Sequence, residues 1–246
     1  MLLRPHPSAA LRRKALRADR ILEAHYGPPA RRRRLDPLST LIGTILSQNT
    51  SDVNSHRAFE RLRARFPSWK AVLNAPAGAV IEAIRPGGLG ALKAVRIQTI
   101  LRRIVAERGV LSLDFLRRWP AARAKVWLRN LDGVGPKTAA IVLAFGLGKP
   151  AFAVDTHVYR VGRRMGLIPE RLSVEEAHRW MEALVKPARC GSFHLLLVRH
   201  GREICKAARP RCPLCPVRQL CDFYRSTKRA HARVHYISRR SSGGRT

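Results

Sequence analysis

The sequence predicts an all-α protein. Apolar residues recur at helix-like spacing along most of the chain, as the first segment, LRRKALRADRILEAHYG, illustrates. Runs of alternating β-branched residues, which are typical of strands, are nearly absent. Glycines and prolines, for example Pro86-Gly87-Gly88, separate helical segments rather than the strands of hairpins.

Several helix ends can be predicted from local signals. The first helix is expected to stop at Gly27-Pro28-Pro29, and Asp36 with Pro37 provides an N-cap and a first-turn proline for PLSTLIGTILSQ. The segments DVNSHRAFERLRARF, GAVIEAI and ALKAVRIQTILRRIVAERG continue the helical pattern. Ser173 and Glu176 have the spacing of a capping box, which predicts the start of the helix SVEEAHRWMEALV.

Charge is the most unusual feature of the composition. Lysine and arginine number 48 against 16 acidic residues, so the formal net charge is +32. Such an imbalance favours a polyanionic partner, and nucleic acid is the expected one. The arginine-rich composition of a GC-rich genome would account for part of the excess. Residues 225–246 are polar, basic and rich in serine and glycine, which predicts a mobile tail.

Neither a signal peptide nor a membrane span is predicted. The N-terminus has no apolar core before Arg4, and the longest apolar stretch, AAIVLAFGLG, is well short of the roughly 20 residues that cross a bilayer. The chain is therefore expected to be a soluble cytoplasmic protein that does not bind membranes. Reducing conditions in that compartment argue against structural disulfides.

A glycine-rich turn between two apolar helices is a candidate phosphate-binding site. In LDGVGPKTAAIVL, residues 131–143, Gly133 and Gly135 permit a tight turn and the close approach of another backbone. Their amides and the first amides of the next helix can point outward at an anion without reading base sequence. An ordinary turn between helices is the alternative interpretation.

Lys137 and Asp155 are the candidate catalytic residues. Lys137 lies at the start of a helix, where the macrodipole disfavours a cation, and an amine in a desolvated cleft is suited to Schiff-base chemistry. Asp155, in VDTHVYRVGRRMG, precedes a helical segment and is expected to cap it, a position from which its carboxylate could face the amine. A solvated lysine and a simple N-cap are the alternatives.

Four of the five cysteines fall in CKAARPRCPLCPVRQLC, residues 205–221, and form a candidate metal site. Four thiolates at this spacing can bind either a tetrahedral zinc ion or an iron–sulfur cluster, and spacing alone does not separate the two. The ligands are Cys205, Cys212, Cys215 and Cys221. A metal there would also hold three cations of the first loop in place: Lys206, Arg209 and Arg211. Cys190 is expected to be a buried thiol rather than a ligand.

In this order, the motifs resemble those of the endonuclease III branch of the helix–hairpin–helix DNA glycosylases, over roughly residues 30–224. LDGVGPKTA is similar to the hairpin and catalytic-lysine motif, and VDTHVYRV to the catalytic-aspartate motif. The cysteine spacing matches the ligands of the family's four-iron, four-sulfur cluster, which favours that cluster over zinc. LSQNTSD and IRPGGLGALKA are similar to the family's two DNA-wedging loops.

The resemblance implies two helical domains with a DNA-binding cleft between them. Residues 30–149 would form a six-helix barrel with the hairpin, and residues 8–29 with 150–224 would form the iron–sulfur domain. The implied activity is excision of oxidised pyrimidines from duplex DNA by a monomer, followed by β-elimination at a lysine Schiff base. The implied DNA contacts are Gln48, Asn49, Leu89, Gly133, Val134, Gly135, Thr138, His157, Lys206, Arg209 and Arg211.

The sequence also departs from the family pattern. Asp132 stands where proline is common, Pro136 where a basic residue is common, and Gly90 where a bulky residue is common. Gln48 lies one residue before the usual wedge position, so Asn49 is a second candidate for that role. Two alternatives remain: a monofunctional mismatch glycosylase, which Lys137 argues against, and a non-enzymatic DNA-binding protein with a zinc site.

Overall fold

The computed structural model describes residues 6–29 and 36–227, and within them all regular structure is helical. The all-α prediction is therefore confirmed. The tail beyond residue 227 and the run Arg31–Arg34 lie outside the described residues. The helices are α1 Ala9–Tyr26, α2 Pro37–Leu46, α3 Asp52–Arg65, α4 Trp69–Asn74, α5 Ala77–Ile84, α6 Gly90–Arg108, α7 Ala121–Arg129, α8 Pro136–Ile141, α9 Thr156–Arg164, α10 Val174–Leu184 and α11 Cys190–Glu203.

The chain divides into two compact units. The central unit is one continuous stretch, Arg31–Ala153, whereas the terminal unit combines Met1–Ala30 with Val154–Thr246. The sequence placed the corresponding boundary after residue 149. In the structure Ala151 and Ala153 are buried in the core of the central unit, which extends that unit beyond Pro150.

Short polar side chains begin many of the helices. Ser8, Ser51 and Ser68 each accept a hydrogen bond from a backbone amide three residues later, at the starts of α1, α3 and α4. Asp36 does the same for α2, with Pro37 at the first helical position, as predicted. The predicted capping box at the start of α10 is also present, since Ser173 and Glu176 bond each other's backbone amides.

The core of the central unit is built from the apolar faces of α2, α3, α5, α6 and α7. Its buried residues include Leu41 and Ile45 of α2, Leu62 of α3, and Ile97 of α6. After Ile141 the helix α8 changes to a π-helical turn, Val142–Gly146, which packs against α2. Gly146 is required there, because a Cβ atom would lie 3.0 Å from the Pro37 Cα. This packing fixes the position of α8 and of the turn before it.

The terminal unit joins the two ends of the chain. Leu22 of α1, Met181 of α10 and Phe193 of α11 are fully buried within it. The carboxylate of Asp19 is buried and accepts hydrogen bonds from Nε and Nη2 of Arg189, at 2.7 and 2.8 Å. This bidentate pair fastens α1 to the start of α11. Among the described residues, no helix has both the length and the apolar character needed to span a membrane.

Candidate active-site residues and nucleic-acid interface

The turn between α7 and α8 has the predicted hairpin geometry. Gly133 adopts the left-handed conformation with φ of 67°, and the Val134 amide donates to the Leu131 carbonyl oxygen over 3.1 Å. Val134 is buried and anchors the turn, whereas Gly135 is exposed with open space around its Cα. No side chain caps α8, which leaves its first amides available to an anion.

Arg96 of α6 packs directly against this turn. A Cβ atom on Gly133 would lie 1.9 Å from Arg96 Nε, so this position needs glycine for contact as well as for conformation. Arg96 Nη1 donates to the side-chain oxygen of Gln48 over 3.0 Å. Its Nε is buried without a hydrogen-bond partner and lies 3.8 Å from the exposed carboxylate of Asp132. Arg96 was not predicted, because a single arginine on a helix gives no signal of a contact 37 positions away.

Gln48, one of the two wedge candidates, is held inside the central unit. Its amide nitrogen donates to the Gly133 carbonyl oxygen at 3.1 Å and approaches the Thr138 hydroxyl at 3.4 Å. Thr138 is itself buried, so its side chain faces the interior and does not present its hydroxyl to a phosphate. Gln48 thus connects the loop after α2 to Gly133 and Thr138, and its side-chain oxygen connects the same loop to Arg96 of α6.

Asn49 and Leu89 are the only non-glycine residues with positive φ among the described residues, at 53° and 51°. Both are exposed, and Leu89 keeps 51% of its surface accessible. A left-handed backbone is strained for leucine and, to a lesser degree, for asparagine, and such strain concentrates at functional loops. Gly90 follows Leu89 because a Cβ atom there would press on Ile81 at 3.3 Å. The two wedge loops therefore each present one exposed residue at a strained tip.

Lys137 is exposed at the second position of α8, immediately after the hairpin. In the central unit the structure groups it with Gly133, Val134 and Gly135. Asp155 belongs to the terminal unit, where it caps α9 by accepting the Val158 amide at 2.8 Å. The predicted N-cap is therefore present, and the pairing of this carboxylate with Lys137 stays a prediction.

His157, a predicted DNA contact, lies two residues beyond Asp155 and is partly buried. Its Nδ1 is 3.1 Å from Nη2 of Arg160, which also donates to the Gly201 carbonyl oxygen at 2.8 Å. Burial lowers the pKa of His157 below its usual value, and the nearby Asp155 carboxylate offsets part of the change. The imidazole is therefore neutral at pH 7, and Nδ1 accepts from Arg160.

The four predicted ligand cysteines line one small cavity in the terminal unit. Met165, Ile204 and Phe223 also line it, and no acidic residue does within the described chain. Burial raises the pKa of the Cys215 thiol to about 11 and raises the pKa values of Cys212 and Cys221. These thiols stay protonated at pH 7 unless a metal replaces their protons.

Two further side chains contact the cysteine sulfurs and were missed by the sequence analysis. Arg164 Nη1 lies 3.5 Å from Cys205 Sγ, and His200 Nε2 lies 3.5 Å from Cys215 Sγ. Burial lowers the pKa of His200 to about 4, so it is neutral, and its Nδ1 is 3.0 Å from the Tyr26 hydroxyl. A neutral imidazole carries one ring proton, so one of its nitrogens donates and the other accepts in these two contacts.

The loop between Cys205 and Cys212 presents its cations to solvent. Lys206, Arg209 and Arg211 are all exposed. The guanidinium of Arg164 donates to the carbonyl oxygens of Lys206 and Ala207, at 2.6 and 2.7 Å, which fixes the start of the loop. The side chains of residues 6–29 and 36–227 include no group of three or more His, Cys, Asp or Glu spaced to hold a metal ion.

Comparisons with known proteins agree with this fold and hairpin. Residues 42–187 match the HhH-GPD superfamily of base excision DNA repair proteins. Endonuclease III of Thermotoga maritima is 34% identical over 205 residues, covering 83% of this chain and 92% of that protein. A putative DNA glycosylase of Arabidopsis thaliana is 40% identical over 196 residues, covering 76% of this chain and 66% of that protein.

Solved structures show the same architecture. A structure of an Endonuclease III–DNA covalent intermediate superposes with a TM-score of 0.74 at 26% identity, covering 88% of this chain and 98% of the other. The chain therefore belongs to the HhH-GPD superfamily of base excision DNA repair proteins. It is a DNA glycosylase, and DNA is its partner.

Proposed function

We propose that this protein excises oxidised pyrimidines from duplex DNA and then cleaves the strand by β-elimination. The observation that carries the proposal is the exposed Lys137 at the start of α8, directly after the Gly133–Gly135 turn. A phosphate bound to the turn would bring the adjoining sugar to this amine. The trapped covalent DNA intermediate of the structurally similar Endonuclease III supports a reaction that proceeds through a covalent bond between protein and DNA.

The chemistry proceeds in two steps. The lesion is flipped out of the stack, and Lys137 Nζ attacks the sugar C1′ atom while the bond from C1′ to the base breaks. The base leaves with the electron pair of that bond. Asp155 accepts a proton from the amine and stabilises the positive charge that develops on the sugar. The sugar ring then opens as the C1′–O4′ bond breaks and Asp155 returns its proton to O4′, which converts the lysine adduct into an imine. The imine acidifies C2′, and loss of a C2′ proton breaks the bond from C3′ to the 3′-phosphate oxygen.

Asn49 and Leu89 are the residues proposed to fill the space left by the flipped nucleotide. Both are exposed at strained loop tips, whereas the Gln48 amide is engaged by Gly133 and Arg96. This arrangement favours Asn49 over Gln48 as the wedge of the first loop. Gln48, Val134 and Thr138 support the hairpin from within, and the backbone at Gly133 and Gly135 contacts the phosphate.

A panel of duplexes tests the lesion class. Each contains thymine glycol, another oxidised pyrimidine, a mispaired adenine or an abasic site, and is incubated with the wild-type protein with and without borohydride. We expect release of the oxidised pyrimidines, strand cleavage and a trapped protein–DNA complex. Excision of only the mispaired adenine, without trapping, would instead indicate a monofunctional mismatch glycosylase. The expected monomeric state and cytoplasmic location stay predictions.

We also propose that Cys205, Cys212, Cys215 and Cys221 hold a four-iron, four-sulfur cluster. The chemistry of the donor set supports this group, because four thiols and no carboxylate line one cavity among the described residues, and the buried thiols need a metal to become thiolates. In this structure the thiols are not yet spaced to hold a metal ion, so they would have to draw together around the cluster. Held by these four cysteines, a cluster would supply a covalent link between the two ends of the loop and a redox-active centre. Within the chain, that link keeps Lys206, Arg209 and Arg211 in place for phosphate contacts.

Cys212→Ser should remove the cluster. Anaerobically purified wild-type protein is expected to be brown, with broad absorbance near roughly 400 nm and iron bound. Cys212→Ser removes one of four ligands, so absorbance and iron content should fall together. Cys190→Ser is the matched control, since Cys190 is buried at the start of α11 and is outside the ligand set. A colourless wild-type protein that contains zinc would contradict the proposal.

Asp132→Asn should strengthen DNA binding. The Asp132 carboxylate is exposed beside the hairpin and 3.8 Å from Arg96, so it repels a phosphate and competes for the guanidinium. We expect roughly two- to fivefold tighter binding to undamaged duplex, the effect of one exposed charge. Asp114→Asn gives the same change in net charge in the same unit, at a carboxylate that pairs with Arg117. If filter-binding or fluorescence titrations show the same change in DNA affinity for both substitutions, net charge and not the position of Asp132 explains the change.

A further inference from the structure

Lys93 of α6 is a buried lysine whose side chain is only 1% exposed. Its ammonium donates to the carbonyl oxygens of Leu46 and Gly87, at 2.9 and 2.8 Å. Within the described residues no salt bridge joins it to a carboxylate, and burial lowers its pKa. Burying a cation costs free energy unless its hydrogen-bond partners are well placed. Both hydrogen bonds therefore restrain the backbone at Leu46 and at Gly87.

The two carbonyl groups lie at the starts of the two loops that carry Asn49 and Leu89. Leu46 is the last residue of α2, three positions before Asn49. Gly87 is the last residue of the 3₁₀ turn Arg85–Gly87, two positions before Leu89. Carbonyls at helix ends lack intrahelical partners and carry the negative end of the helix dipole, so an ammonium satisfies both. One side chain thereby joins the bases of both tip loops.

The loops are also packed against each other at this point. A Cβ atom on Gly87 would lie 3.7 Å from the Leu46 carbonyl oxygen and 3.2 Å from the Ala58 Cβ. Such an atom would be in ordinary van der Waals range of the Leu46 carbonyl, so the two loops lie close enough for one ammonium to reach both carbonyls, and glycine avoids a tight contact with Ala58 of α3. After this contact each loop continues to its strained tip residue, which is Asn49 in the first loop and Leu89 in the second.

We propose that Lys93 is a positioning residue that sets the spacing and orientation of the Asn49 and Leu89 tips, so that both enter the duplex in register. The inference rests on the proposed function, in which these tips replace the flipped nucleotide. The strain at each tip persists only if the surrounding structure imposes it. The two hydrogen bonds from Lys93 hold the bases of both loops and thereby impose this strained backbone at their tips.

Lys93→Met tests the proposal, since it keeps the volume and removes the donors. Gln98→Met is the matched control, because Gln98 is also buried on α6 and donates to carbonyls outside the tip loops, those of Val72, Leu73 and Ala75. Both variants should lower the melting temperature. Only Lys93→Met should speed hydrogen exchange at the amides of residues 48–51 and 88–90.

The kinetic readout separates positioning from chemistry. The single-turnover rate of lesion excision should be on the order of 100-fold lower in Lys93→Met, as expected when reacting groups are misplaced by about 1 Å. Cleavage at a preformed abasic site, where no base has to be extruded, should fall much less. Lys93→Gln keeps one donor and should give intermediate values, which provides a second variant if Lys93→Met does not fold.

A double-mutant cycle with Leu89→Ala completes the test. If Lys93 acts through the tip, Lys93→Met should slow excision far less in the Leu89→Ala background than in the wild type. Additive effects, or unchanged tip exchange in Lys93→Met, would overturn the inference. Failure of the wild-type protein to excise any base would overturn the proposed function instead, while the exchange comparison would still decide whether Lys93 positions the tips.

Discussion

Lys137→Ala is expected to abolish the covalent complex with DNA. No other group in the hairpin can form an imine with C1′, so borohydride should trap no protein on abasic or thymine-glycol duplex. Strand cleavage should fall by on the order of a thousandfold or more, as removal of a nucleophile does elsewhere. The measurement is a denaturing gel of trapped complexes, quantified against the wild-type protein.

Two controls separate the loss of the nucleophile from the loss of charge. Lys137→Arg keeps a cation at the start of α8 but cannot form an imine, so DNA binding should persist without trapping. Lys70→Ala removes an exposed lysine from α4 of the same unit and should trap like the wild type. Trapping by Lys137→Ala at the wild-type level would exclude Lys137 as the nucleophile.

Asp155→Asn is expected to preserve the fold and remove most of the activity. Asparagine caps helices about as well as aspartate, so the hydrogen bond from the Val158 amide at the start of α9 should survive. The substitution removes the negative charge that accepts the proton from the amine and stabilises the sugar cation. Single-turnover excision should therefore fall by roughly 100- to 10,000-fold, the range for a general acid–base group.

Asp36→Asn provides the matched control for this variant. Asp36 caps α2 through the Ser39 amide at 2.9 Å, so the same substitution is made at a helix start in the central unit. Both variants should unfold at similar temperatures, and only Asp155→Asn should lose excision while keeping DNA affinity. An Asp155→Asn protein with wild-type rates would show that Asp155 acts only as a cap.

The helices and the hairpin were predictable because their signals are local. Caps such as Asp36 and Ser173 act within three residues, and the Gly133–Gly135 turn lies between two clearly apolar segments. The helix Cys190–Glu203 was not assigned, since its glycines and histidines interrupt the apolar pattern although its core face is buried. Local signals therefore specified most of the secondary structure.

The tertiary contacts of the site were not predictable in the same way. Gln48 and Asn49 are adjacent polar residues, and only the three-dimensional contact with Gly133 shows that Gln48 is turned inward. Lys93 and Arg96 look like ordinary helical cations until their partners, in loops distant along the chain, are known. His200 likewise acquires its low pKa from burial. These roles depend on burial and on contacts between residues far apart in sequence, which the helical pattern does not encode.

The way the terminal unit is assembled determines when it can form during synthesis. The hydrogen bonds between Asp19 and Arg189 join residues 170 positions apart, and Arg199 donates to the Tyr26 carbonyl oxygen across 173 positions. The central unit is continuous and can fold as it leaves the ribosome. Helix α1 precedes its partners α10 and α11 by more than 140 residues, so its apolar face stays uncovered until they have been synthesised. During that interval an exposed apolar face makes the chain prone to aggregation.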